Sequence, residues 1–508
     1  MSAPEPPPFA PDAQGRGAPS TAPATTGYGW LLALLAGATV LRLALAANPG
    51  YYDDLRSYAV WGDLAAAKGI ASIYDPEAYP DALRGNICDY PPGLPYALMA
   101  TSAVNGWLHG GQGLADRPYD VFVVKLLPLA GGLALTLLVF AAARALAGPR
   151  AALLAAASYA LNPAALFDSG YWGQTDAIVF AWIGLGLAGT WSGRAALAGV
   201  ALGMAVLTKP VAWIFVPLAA VLGWRRHGPG RLGVGAGAAL ALGAAAFLPF
   251  AATGILGDTL SAMVTQLGAM PNVSNNAHNV WGLVALWASA TGDLRVAGPL
   301  DLRLIGMLLF LAVYLRALAR LWHDPTPPTV LLTGAITAFA FFLLSVHQHE
   351  NHLFGVLPFL AALWVTDRRV PVLYAGLSAT LLANMALHDP YLLSLGLSDV
   401  ERWRAIEFYD VPVTGHADAT TAFRVWTWLV ALNILANVAL FVRALQVAER
   451  RPAVPAAPGR AWFGLAPSRW RAVMTGCVAA ALLSAWWVTA VANPDVRGFW
   501  VAEARKGP

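Results

Sequence analysis

From Tyr28 to Ala492 the chain is a succession of apolar runs of membrane-crossing length, separated mostly by short polar gaps. Such a pattern cannot be one anchor attached to a soluble domain, because the apolar runs make up most of the 508 residues. Charged residues are only 12% of the sequence, whereas a soluble domain carries roughly 25%. The expectation is an all-α polytopic integral membrane protein. Thirteen spans are placed at about 29–47, 121–145, 149–166, 174–192, 194–207, 209–224, 231–252, 302–322, 328–346, 353–366, 370–387, 421–446 and 471–492.

Sidedness follows from the basic residues. Arg144, Arg150, Arg194, Arg225, Arg226, Arg231, Arg316, Arg320, Arg368, Arg369 and the run from Arg443 to Arg471 all fall in alternate gaps, which the positive-inside rule assigns to the cytoplasm. The formal charge of +4 is therefore a topology signal, and no basic stripe for nucleic acid remains. Parity then makes the apolar run Pro92–Trp107 an in-plane or half-inserted helix on the outer surface.

This layout divides the chain into five parts. Residues 1–27, rich in Pro, Ala, Gly, Ser and Thr, form a disordered cytoplasmic tail whose single Arg16 is too little for a signal peptide. A core over 28–252 includes a first outer loop at 48–120. Then come an outer loop at 253–301, C-terminal membrane helices over 302–492 and an outer tail at 493–508. Cys88 and Cys477 are too far apart in sequence and context for a disulfide framework. Within the first loop, residues 54–68 read as an amphipathic helix lying flat on the membrane. At 100° per residue, Leu55, Tyr58, Trp61 and Ala65 share one face while Arg56 and Asp63 point the other way.

The polar clusters all fall on the outer side. Asp53 and Asp54 follow the first span, and either can cap the flat helix. A carboxylate at the lipid surface can equally act as general base toward a hydroxyl, and since adjacent helical residues diverge by about 100°, one of the two faces substrate; Asp54 is chosen. Asp89-Tyr90-Pro91-Pro92 is a stiff turn, or an acidic sugar contact beside an aromatic. Tyr171 and Trp172 with Gln174 and Asp176 combine rings and hydrogen-bonding groups suited to a carbohydrate, although Gln174, Thr175 and Asp176 can also cap a helix.

Lys125 and Lys209 either snorkel to the interface or face a lipid phosphate, with Lys125 preferred for the phosphate; Arg42 is read as snorkelling. His278 and Asn279 lie in the polar run before Trp281. His347, His349 and Glu350 belong to a His-x-His-Glu-x-His run that lacks the zincin spacing, so no metal is assigned, although an Asp-Asp pair can hold a divalent ion. Asn272-Val273-Ser274 matches a glycosylation acceptor and receives no function.

Taken in order, these motifs resemble the GT-C superfamily of polytopic glycosyltransferases that use polyprenyl-phosphate sugars. They are most similar to the dolichyl-phosphate-glucose-dependent glucosyltransferases of the N-glycan pathway and their bacterial relatives. The likeness runs from about Gly50 to Phe354. It implies that Asp54 is the base in an inverting attack, that Lys125 suits the donor phosphate, and that His347 and His349 lie near that phosphate. Gln174 and Asp176 resemble the bacterial form of the fourth-span motif, while Asn351 and His352 depart from the residues usual after His-Glu.

The expected activity is transfer of a hexosyl unit, glucose or mannose, from a polyprenyl-phosphate donor to a lipid-linked glycan or other acceptor, with no cofactor and no nucleotide-binding loop. The expected setting is a bacterial inner membrane, with the amino terminus cytoplasmic and the active site outward. The alternative is a lipid or sugar transporter or flippase, which has the same composition but carries its polar breaks at the bilayer midplane.

Overall fold

The computed structural model describes residues 26–48, 50–79, 87–115, 122–269, 272–287, 292, 294–297, 299–406 and 420–449. Among the described residues, six helices are long and apolar enough to cross a membrane, or seven if the bent pair Pro149–Ala160 and Pro163–Trp172 is one span. Apart from ladders of two or three residues, the regular structure of the described residues is helical, and the chain is an all-helical polytopic membrane protein. Of the spans expected from sequence, 471–492 lies outside the described residues, as do the tails 1–25 and 493–508.

Helix α1 (Thr26–Ala46) leads into α2 (Tyr52–Lys68), and α3 (Gly93–Leu108) completes the first loop. The bundle continues with α4 (Phe122–Ala147), α5 (Pro149–Ala160) and α6 (Pro163–Leu166), which runs into a π-helical turn, Phe167–Trp172. Asn162 causes the bend between α5 and α6. Its side chain accepts from the amides of Ala164 and Ala165 at 3.0 and 3.2 Å, and Pro163 takes the first helical position. Helices α7 (Asp176–Trp191) and α8 (Ala195–Thr208) follow as an antiparallel pair.

The next helical stretch, α9 (Val216–Ala252), corresponds to two expected spans and is broken where they meet. Gly228 has φ 79° and ψ 174°, outside the helical region, and Pro229 follows it. Chain on both sides of the break packs on the α7–α8 hairpin: His227 bonds the Thr190 carbonyl at 2.9 Å and Arg231 donates to the Gly193 carbonyl at 2.9 Å. Gly199 and Gly203, four residues apart on α8, let the second half of α9 approach closely. A Cβ at Gly199 would collide with the Gly235 carbonyl.

The second half of the chain holds α10 (Leu256–Ala269), β1 (Ser274–Asn275), α11 (Val280–Trp287) and the small ladder of β2 (Arg295–Ala297) with β3 (Leu300–Asp301). Then come α12 (Leu302–His323), α13 (Pro327–Leu344), β4 (Gln348–His349), α14 (Val356–Leu363), α15 (Val370–Ala386), α16 (Pro390–Ser394), α17 (Asp399–Ile406) and α18 (Thr421–Glu449). β1 pairs in parallel with β4, Ser274 opposite Gln348 and Asn275 opposite His349, so the two loops that carry the imidazole clusters are stitched together.

Two expectations need correction. The apolar face of α2 does not lie on lipid. Leu55, Tyr58, Trp61 and Ala65 are buried in a small core with Ile73, Leu94 and Leu98, because α3 folds back over them. Asp63, on the opposite face, fastens the loop by accepting from Ser102 Oγ at 2.5 Å and from the amides of Leu114 and Ala115 at 2.8 and 2.7 Å. Arg42 does not snorkel either. It is buried inside the bundle, donating to the Ala160 carbonyl at 3.0 Å, because Gly132 leaves room for its guanidinium.

Candidate active site

The first turn of α2 presents Asp53 to solvent and turns Asp54 half inward. Gln174 Nε2 donates to Asp54 Oδ2 at 2.5 Å. Gly173, at φ 82°, closes the π-helical turn and sends the chain on to Gln174; a Cβ there would press on Lys125 and Leu55. The start of α2 is tied to the same turn, since Tyr51 N–H donates to the Trp172 carbonyl at 3.3 Å and the two rings lie 4.9 Å apart. Burial raises the Asp54 carboxyl to about 6, against the opposing hydrogen bond from Gln174 and charge of Lys209.

Beneath this pair sits a buried ion pair. Asp176, at the first position of α7, accepts from Lys209 Nζ at 3.2 and 3.1 Å and from Asn351 Nδ2 at 2.7 Å. Glu350 is buried beside it. Desolvation raises its carboxyl to about 8, with Asp54 and Asp176 adding to the rise. His349, partly exposed, is pushed down to about 4, first by burial and then by the charge of Lys209.

Asp89 and Tyr90 face the same group, since both Asp54 and Lys209 act on the Tyr90 phenol. Tyr58, Trp61 and Tyr90 form a ring cluster, with centroids 5.5–6.0 Å apart. Elements distant in sequence thus bring Asp54, Asp89, Tyr90, Gln174, Asp176, His349 and Glu350 into one cluster of interacting groups. Arg225 and Arg226 lie by the end of α7 opposite Asp176, where Arg226 stacks on Trp191 at 3.5 Å and Arg225 on Trp322 at 5.0 Å.

Other expected site residues are engaged elsewhere. Lys125 is fully buried, and its ammonium donates to the carbonyls of Asn48 at 2.5 Å and Tyr171 at 2.7 Å, so it clamps the loop before α2 to the π-helical turn instead of facing a phosphate. Tyr171 and Trp172 are buried in the core, and the Trp172 indole donates to Asp389 Oδ2 at 2.8 Å; neither ring offers a face to a sugar. Asn279 caps α11, accepting from Gly282 N at 2.8 Å and donating to the Phe342 carbonyl at 3.0 Å.

His278 is also buried, 3.1 Å from His388 across their Nε2 atoms, with Asn433 on its Nδ1 at 2.6 Å. His347, at φ 59°, turns toward Arg303, 3.3 Å from its Nε2.

Lys209 and Asn351 were underweighted in the sequence. The signal for Lys209 was available, because the first residue of α7 and the residue closing α8 must meet at the same end of an antiparallel helix pair. His388 and Asp389 carried no local signal beyond an Asp-Pro turn. Among the described residues no group of three or more His, Cys, Asp or Glu side chains is arranged to hold a metal ion.

Replacing Lys125 with Met is expected to leave the Asn48 and Tyr171 carbonyls unsatisfied and lower stability by about 1–3 kcal/mol for each that water cannot reach. The check is thermal denaturation in detergent alongside donor KM. A large rise in KM at unchanged stability would return Lys125 to the phosphate.

An apolar cavity of about 520 Å³ runs between α8 and the two halves of α9, lined by Leu202, Val206, Leu207, Trp213, Leu240 and Phe247 among others. Its wall includes Leu207, two residues before Lys209 in the sequence.

Neither a protein-family model nor a curated protein sequence matches the chain. Among solved structures, the chain is similar to ArnT from Cupriavidus metallidurans bound to undecaprenyl phosphate, at 17% identity and a TM-score of 0.44 over 82% of this chain and 78% of that one. The apo state of the same ArnT is similar at 16% identity and a TM-score of 0.39, over 82% and 77%.

Proposed function

We propose that the protein is a membrane glycosyltransferase that moves a hexosyl unit from a polyprenyl-phosphate sugar to a lipid-linked glycan or other acceptor, with inversion. The observation that carries this reading is the Asp54 carboxylate, held by Gln174 and within electrostatic reach of Asp89, Tyr90 and Glu350, with His349 beside Glu350. A lipid-phosphate sugar is already activated. The protein therefore has to supply an oriented base and a setting for the departing phosphate, and needs no nucleotide-binding domain.

In this mechanism Asp54 accepts the proton of the acceptor hydroxyl as that oxygen attacks the anomeric carbon opposite the phosphate. Asp89 and Tyr90 position sugar hydroxyls, and the apolar slot beside Leu207 takes the polyprenyl tail. By the positive-inside rule the arginine end is cytoplasmic and the site opens to the outer side. The setting is a bacterial inner membrane.

The test is purified protein given radiolabelled polyprenyl-phosphate glucose or mannose with a lipid extract. Label should move covalently to a new species. Lipid or sugar crossing a vesicle wall without covalent transfer would replace this reading with a transporter.

The rate should also depend on pH through the base. Asp54 works ionised, so kcat/KM is expected to fall as pH drops through about 6. Because folding raises this carboxyl above its unfolded value, ionising it costs the folded state stability at higher pH, and protonation in acid relieves that cost. The acid loss of rate should therefore appear without unfolding due to this group, checked by far-UV circular dichroism across the same range.

A further inference from the structure

Both lysines near the site are already engaged, Lys125 by two backbone carbonyls and Lys209 by Asp176, so neither ammonium is free to meet the charge that develops on a departing phosphate. Glu350 is differently placed. Its side chain is only 7% exposed, and Oε2 has no hydrogen-bond partner among the described residues, the imidazole Nδ1 of His349 standing 3.9 Å away. The charged and titratable groups that act on it are Asp54 from α2, Asp176 from α7, Lys209 from the α8–α9 junction and, next along its own loop, His349. Two carboxylates and one cation already surround it. A third carboxylate there adds repulsion that a neutral acid avoids.

We infer that Glu350 is the proton donor to the leaving phosphate, an assignment that rests on the glycosyl-transfer reading above. As the acceptor oxygen bonds to the anomeric carbon, its proton passes to Asp54. The bond from that carbon to the phosphate oxygen breaks, the electron pair stays on the oxygen, and the Glu350 proton joins it. The products are the new glycoside and a polyprenyl hydrogen phosphate. Return of one proton from Asp54 to Glu350, directly or through water, resets both groups. The acidic ionisation of Glu350 near 8 and that of Asp54 near 6 leave the pair in the required states, base ionised and acid protonated, between those values.

The experiment is the pH profile of kcat/KM for the purified full chain, with whichever radiolabelled polyprenyl-phosphate hexose it transfers. The wild type should give a bell with limbs near 6 and 8. Glu350→Gln, nearly isosteric, should lower kcat by about 10²-fold, change donor KM little, and lose the alkaline limb while keeping the acid one. An alkaline limb that survives in Glu350→Gln, or an unchanged rate, overturns the assignment while leaving the glycosyl-transfer reading intact.

If Glu350→Gln does not fold, the infrared band of a protonated carboxyl in the wild type decides. It should vanish with a midpoint near 8 and shift in Glu350→Asp. Absence of that band, or of the shift, overturns the assignment. A wild type that transfers label from no donor fails the parent reading, and this assignment falls with it.

Discussion

Asp54→Asn should reduce sugar transfer by about 10²–10⁴-fold, the usual contribution of a positioned general base, while the protein still elutes as a folded species in detergent. The amide preserves shape and can still bond Gln174, so the loss isolates the proton acceptor from the packing around it. Asp53→Asn supplies the contrast. Its side chain is exposed at the same helix turn, about 100° round the axis, and it should retain most of the turnover. Activity lost in Asp53→Asn and kept in Asp54→Asn would move the base by one residue. The measurement is single-turnover transfer of labelled sugar from a saturating donor.

The largest effect on stability should come from the Lys209–Asp176 pair. Both side chains are almost fully buried, at 9% and 2% exposure, and the ammonium sits 3.1 Å from the carboxylate. Removing one partner strands the other charge where water does not reach it, so Lys209→Met and Asp176→Leu should each cost about 3–5 kcal/mol. The double variant should lose less than the sum, because no charge is then left alone. It should not recover fully, since Asn351 loses its acceptor at 2.7 Å. Thermal denaturation of the four proteins checks this. Strictly additive losses would show that the two groups do not stabilise one another.

Much of the frame was legible beforehand because apolar length and loop charge act locally. The spans over α1, α4, α7, α8, α12, α13, α14, α15 and α18 match described helices within a few residues, and the break between the two halves of α9 was marked by Gly228 and Pro229. The amphipathic pattern of α2 was also correct as a pattern. It could not say whether the apolar face would meet lipid or protein, since the periodicity is the same in either case, and α3 decided the matter.

Polar side chains were the harder part. A Lys at the mouth of a span looks alike whether it faces a phosphate or two carbonyls, and Lys125 bonds Asn48, 77 positions earlier. The sequence pattern also ranked Lys209 below Lys125, although Lys209 is the cation within the acidic cluster.

The amino-acid order alone settled that this chain crosses membranes as helices, because a bilayer requires that much apolar length in each crossing. Only the tertiary structure decided which of its acidic, aromatic and imidazole groups face one another. Gln174 reaches Asp54 across 120 positions, and the choice between a clamp and an open site depends on which backbone carbonyls or carboxylates lie within hydrogen-bond range once the helices have packed.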